Sequence, residues 1–141
     1  MTRLLTLIFI LMAMNTMAQK TVIGKWKTID DNTGEAKSII EIYERGGKLY
    51  GKVVKILDPK AEPDPVCDEC PADDPRYNKK IIGMEIIQGL VKDGDEYSEG
   101  TILDPEPGKI YRCKLWLEGE DLMVRGYWGP FYRTQTWKRV N

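Results

Sequence analysis

Cys67, Cys70 and Cys113 are the side chains of this chain best equipped for chemistry, and the spacing Cys67-x-x-Cys70 admits three uses. A redox-active pair needs a thiol of lowered pKa at the start of a helix. Here Pro65 and Pro71 flank the pair and Asp68 and Glu69 fill it, which is the opposite environment. Haem attachment requires a histidine directly after the second cysteine, and Pro71 stands there instead. A structural zinc site requires four ligands, and two cysteines with Cys113 or carboxylates make a poor set. The remaining use is a staple. Proximity favours a Cys67–Cys70 ring with Cys113 left as a buried thiol, although sequence does not fix connectivity and a bridge from Cys113 to the loop stays open.

The chain has no histidine. That removes Ser-His and Cys-His nucleophilic pairs, imidazole metal ligands and the usual general base near neutral pH. Asp64, Asp68, Glu69, Asp73 and Asp74 follow no calcium-loop spacing and read as a solvated acidic loop. Asp104-Pro105 with Gly108-Lys109 has the composition of a turn, where Asp caps backbone donors and Pro and Gly set the dihedrals. No metal, cofactor or catalytic residue is expected, and the reading is not an enzyme. Positive and negative side chains are interspersed, with a formal net charge of −1. No basic stripe points to nucleic acid.

Arg3, the apolar run from Leu4 to Met14 and the small residues of Thr16-Met17-Ala18 have the pattern of a signal peptide cleaved after Ala18. The run is too short for a permanent membrane span, and no cysteine near the cleavage site could accept a lipid. Residues 1–18 are therefore expected to be a signal peptide, and residues 19–141 one domain, secreted or periplasmic without a lipid anchor.

Alternation and turn punctuation predict eight strands: Gly24 to Ile29, Ala36 to Tyr43, Lys48 to Ile56, Met84 to Val91, Glu96 to Leu103, Ile110 to Leu117, Leu122 to Tyr127 and Phe131 to Arg139. Short Gly, Asp and Pro turns join most of them, so neighbours should pair antiparallel. The expectation is an all-β, eight-stranded, up-and-down barrel, because pairing the first strand with the last removes both open edges. Residues 57–80 break the pattern with Pro59, Pro63, Pro65, Pro71 and Pro75, which exclude helix and ladder strand. This segment should form a long ordered excursion over one mouth or a mobile lid.

Parity selects the residues that point inward. Tyr111, Cys113, Leu115 and Leu117 share one face of the sixth strand. On the eighth strand Trp137 brings Gln135 and Arg133 inward with it, placing an amide and a guanidinium where each needs a partner. Arg133 and Gln135 are therefore expected to orient a polar or anionic ligand end, with Trp26, Trp137, Tyr111 and Leu115 as walls. Glu41 or Glu99, ordered water or the ligand itself would neutralise Arg133. Tyr127, Trp128, Phe131 and Tyr132 gather at the last hairpin as an exposed aromatic tip for docking or as a barrel-end plug.

Gly24-x-Trp26 near the start and Arg139 near the end resemble the signature of lipocalin-like, or calycin, barrels, in which an arginine of the last strand stacks on a tryptophan of the first. A closer resemblance covers nearly all of residues 19–141. Gly24-Lys25-Trp26, Gly47-Lys48-Leu49-Tyr50-Gly51-Lys52-Val53, Cys67-x-x-Cys70, Ile102-Leu103-Asp104-Pro105, Gly108-Lys109-x-Tyr111, Val124-Arg125-Gly126-Tyr127 and Arg133-Thr134-Gln135-Thr136-Trp137-x-Arg139 resemble, as an ordered series, the family called DUF2147. The resemblance implies a small exported bacterial protein with a lipocalin-like fold, and it carries over no catalytic residue. The function expected is a binding module for a small amphipathic or apolar ligand. The alternative is a structural or interaction protein of the cell envelope, with a filled barrel interior and a protein partner.

Overall fold

The computed structural model describes residues 21–141. The expected signal peptide lies outside the described residues. Eight strands follow in chain order: β1 Gly24–Ile29, β2 Ala36–Arg45, β3 Lys48–Ile56, β4 Glu85–Asp93, β5 Glu96–Asp104, β6 Lys109–Glu118, β7 Asp121–Trp128 and β8 Phe131–Arg139. β1, β3 and β8 have the expected bounds, and the other five differ by a residue or two at their ends. Each strand pairs antiparallel with the next, and β1 closes on β8 through Trp26 opposite Arg139 and Lys27 opposite Lys138. The all-β, up-and-down closed barrel is thus as expected, and closure leaves no free edge in the sheet.

Alternation drives the packing. On β6, Cys113 and Leu115 are buried between the more exposed Arg112, Lys114 and Trp116, and on β7 Leu122 and Val124 are buried beside the partly exposed Met123 and Arg125. Ile40, Ile42, Leu49, Leu90, Leu115 and Leu122 are each 3% exposed or less and form the centre of the core. Burial of such aliphatic side chains contributes about 1.5–3 kcal/mol each, before conformational entropy is set against it.

The core is closed at one end by Trp26. Its ring is fully buried, and its indole N–H donates to the Val22 carbonyl at 2.8 Å. The Arg139 guanidinium lies 4.2 Å from the ring centroid and donates to the carbonyls of Thr21 and Ile23. Among the described residues, stacking and the two carbonyls thus satisfy the arginine without a carboxylate, as a planar guanidinium permits and an ammonium does not.

Residues 57–84 form an ordered strap across the other end. Cys67 donates its N–H to Lys79 O at 2.8 Å, Asn78 donates to Cys67 O at 2.9 Å, and Ile81 donates to Pro65 O at 3.0 Å, so a short ladder survives despite the prolines. Arg76 ties the strap to β4 through a hydrogen bond to the Glu85 carbonyl at 2.9 Å, while Asp74 pairs with the same guanidinium. That pairing holds the Asp74 carboxyl below its ordinary pKa. Cys67 and Cys70 are disulfide-bonded and Cys113 is a free, buried thiol, the expected pairing. Burial pushes the Cys113 thiol up to about 12, which makes it inert at physiological pH.

The strap docks on the β5–β6 turn through Gly108. At φ +67° this residue occupies the left-handed region, and a Cβ there would fall 1.6 Å from the Glu69 carbonyl oxygen. Only glycine lets the backbone beside the disulfide lie this close to the turn.

Candidate functional site: an open cavity at one mouth of the barrel

The barrel is not filled along its whole length. At the mouth opposite Trp26 a cavity of about 620 Å³ opens to solvent, bounded by the ends of β1 to β8 and by the strap. This is within the range of small-molecule sites. Ile56, Ile86, Ile102, Tyr111, Val124 and Trp137 supply its apolar wall. Trp137 is 2% exposed and donates its indole N–H to Gln135 Oε1 at 2.9 Å, so the amide that came inward with it is spent on locking it in place.

Gly126 makes room on this wall. It lies opposite Cys113 on β6 and Arg133 on β8, and a Cβ added to it would stand 3.4 Å from Tyr111 Cβ and 3.9 Å from Ile102. A glycine inside a strand thus shapes the cavity rather than only easing the bend of the barrel.

Arg133 lines the cavity at its rim with a half-exposed side chain, paired with Asp31 of the β1–β2 turn. The expected internal partners are corrected: Glu41 pairs with Lys52 at 3.8 Å, and Glu99 is an exposed residue at the irregular β5 register with φ +64°. Both lie along the barrel wall, whereas Arg133 stands near the start of β8 at the mouth, beside the β1–β2 turn that supplies Asp31. The Asp31 contact raises the guanidinium pKa further, with Asp30 and Asp104 adding to it.

Of the expected site residues, Arg133, Gln135, Trp137 and Tyr111 come together on the cavity lining. Trp26 and Leu115 do not line it. Both are fully buried, Trp26 in the plug at the far end and Leu115 in the packed core. Side-chain parity places all of these on the inner face but carries no information about height along the barrel axis, and that coordinate separates wall from plug.

Several cavity residues were not expected from sequence to line a site, and two of them, Asp104 and Trp128, carried other expected roles. Lys37 pairs with Asp58 at 3.0 Å, a contact that raises the lysine pKa and helps lower that of the carboxylate. Thr28 and Ser38 hydrogen-bond to each other at 2.9 Å across β1 and β2. Asp104 accepts the Glu106 N–H at 3.3 Å, the capping role its turn composition suggests, and also lines the cavity. Desolvation raises its pKa, with the Glu106 bond and Arg133 acting in the other direction. Trp128 forms a tilted pair with Tyr111, ring centroids 5.7 Å apart, and continues into the exposed Phe131. Among the described residues no group of His, Cys, Asp or Glu could hold a metal, and no helix is long and apolar enough to cross a membrane.

A closed antiparallel barrel of eight strands, plugged at one end by an arginine-capped tryptophan and open at the other, defines the chain as a lipocalin-like barrel. Its structure is similar to that of the protein HP1028 from the human pathogen Helicobacter pylori, described as belonging to the lipocalin family. The two share a TM-score of 0.72 and 23% sequence identity over 86% of this chain and 84% of that one. The model of a family described as uncharacterized protein conserved in bacteria (DUF2147) matches residues 24–139, and the chain belongs to that family. No curated protein matches.

Proposed function

We propose that the protein is an exported binding module that holds the body of a small amphipathic ligand inside the barrel, with the ligand's polar end at the strapped mouth. The observation that carries this reading is the 620 Å³ cavity, apolar at depth and polar at its rim. An apolar ligand body gains about 25 cal/mol for each Å² it removes from water there, while the rim fixes orientation. Tyr111 and Trp137 are the wall contacts in this reading, with Arg133 and Gln135 nearer the mouth. The bacterial family and the Cys67–Cys70 disulfide support an oxidising compartment outside the cytoplasm. The reading is non-enzymatic and is supported by the chain's lack of histidine and by the Thr28–Ser38 pair, whose hydroxyls bond each other rather than a base.

The test is native mass spectrometry of the protein purified from its own envelope, together with a titration of the apolar fluorophore N-phenyl-1-naphthylamine. A co-purified small molecule that the fluorophore displaces, or stoichiometric fluorophore binding weakened by Tyr111→Ala, is the expected result. No co-purified molecule and no fluorophore binding would transfer the function to the surface. That rival, an envelope interaction protein, is favoured by one observation: Trp128, Phe131 and Tyr132 are 47, 62 and 57% exposed at one hairpin.

A further inference from the structure

The ligand's polar end can be assigned a sign. Six carboxylates line the cavity, those of Asp30, Asp58, Glu62, Asp68, Asp104 and Glu106, against two cations, Lys37 and Arg133. Both cations are already engaged by carboxylates, Lys37 with Asp58 and Arg133 with Asp31. Asp30 is also occupied, accepting the N–H groups of Asn32 and Thr33 at 2.8 and 3.0 Å. Among the described residues Glu62, Asp68, Asp104 and Glu106 enter no ion pair; all four are exposed, so the excess of negative charge lies at the rim, where the cavity opens, above the apolar wall. Such a wall focuses the field into the mouth and concentrates counter-ions of one sign. Asp31 takes the Nε–H of Arg133, so an anion that reached the Nη groups would still lie beside the Asp31 carboxylate and approach Asp30 and Asp104 as well. A cation meets unpaired carboxylates and, on the same lining, the rings of Tyr111 and Trp128, whose faces attract positive charge.

We propose that the cavity selects an amphipathic cation, an apolar body carrying an ammonium or amine group that sits at the mouth among Asp104, Glu106 and the strap carboxylate Asp68. This inference rests on the binding-module reading and reverses the charge that parity alone assigned through Arg133. Arg133 is then a rim residue that repels the ligand headgroup and restrains Asp31, rather than its contact.

The experiment is a calorimetric titration of the purified protein with decyltrimethylammonium, decanol and decanoate, each below its micelle concentration. These probes share one chain length and differ in headgroup charge. The cation is expected to bind at least tenfold more tightly than decanoate, with decanol between them, and the preference should shrink as salt screens the mouth. The paired substitutions Asp104→Asn and Glu106→Gln should lower cation affinity severalfold while leaving decanol unchanged, and Arg133→Met should raise cation affinity. Asn keeps the side-chain oxygen that caps the turn, and an unchanged melting temperature checks that the variant is folded. Decanoate binding as tightly as the cation, or a cation preference that survives the paired substitution, overturns the charge assignment and leaves the cavity reading standing. Failure of all three probes to bind overturns the cavity reading, and the charge assignment with it.

Discussion

Arg139 and Arg133 leave β8 on the same face, toward opposite ends of the barrel, and meet different surroundings. Arg139 reaches a fully buried indole and two backbone carbonyls, with no carboxylate partner among the described residues, and helps seal the end where Ile40, Ile42, Leu49 and Leu90 are buried in one core. Arg133 reaches a turn carboxylate at a wet rim, over a cavity. One strand thus delivers the same side chain to a plug and to a gate. The residue type decides what contacts are possible, and the position along the barrel axis decides which are made. The plugged end can carry the stability of the closed sheet, which frees the other end to stay hollow, a cost in packing that a uniformly filled barrel would not bear.

Removing the plug should have the largest effect. Trp26→Ala is expected to cost about 3–5 kcal/mol of unfolding free energy, the range for truncating a buried aromatic, measured by urea denaturation monitored by far-UV circular dichroism. A loss under 1 kcal/mol would mean that the plug is not where the barrel's stability resides. The mouth should respond differently. Gly108→Ala sets a methyl against the Glu69 carbonyl and is expected to cost about 1–3 kcal/mol as overpacking, most of it relieved locally by the strap lifting away. The readout is limited proteolysis: cleavage within residues 57–84 should accelerate well before the barrel strands become susceptible. Simultaneous loss of strap and strands would show that the two ends are one cooperative unit.

How much of this contrast was legible beforehand follows from what alternation and composition encode. β1, β3 and β8 have their expected ends because Gly, Asp and Asn turns punctuate them sharply, and closure follows from two edges with no other partner. The Cys67–Cys70 ring was legible because its partners are neighbours. The partner of Arg133 was not, since Asp31 lies 102 residues away in sequence and its turn reads equally well as a solvated cap. Asp104 was hidden for the same reason: its capping bond to Glu106 explains the residue fully until the cavity beside it is seen. The role of Gly126 was not legible because a missing side chain leaves no trace of the ring that fills its place. Depth along the axis, which separates Trp26 and Leu115 from Trp137 and Tyr111, has no period in sequence.

The smallest expected effect discriminates the two arginines themselves. Replacing either with Met keeps much of the aliphatic bulk and removes the charge and the planar fork. At the plugged end, Arg139→Met loses a stacked cation and two donors to carbonyls, for a cost of about 1–2 kcal/mol. At the rim, Arg133→Met loses a pair whose arginine is half exposed, and side-chain ordering and screening hold such pairs to about 0.2–1 kcal/mol. Salt separates the cases further: raising ionic strength should narrow the difference between wild type and Arg133→Met and leave that for Arg139→Met almost unchanged, because the Arg139 contacts are stacking and carbonyl bonds with no carboxylate. Equilibrium unfolding of the two variants at low and high salt is the measurement. If Arg133→Met proves the more destabilising, the gate is bearing the load assigned to the plug, and the division of the barrel into a structural and a functional end fails.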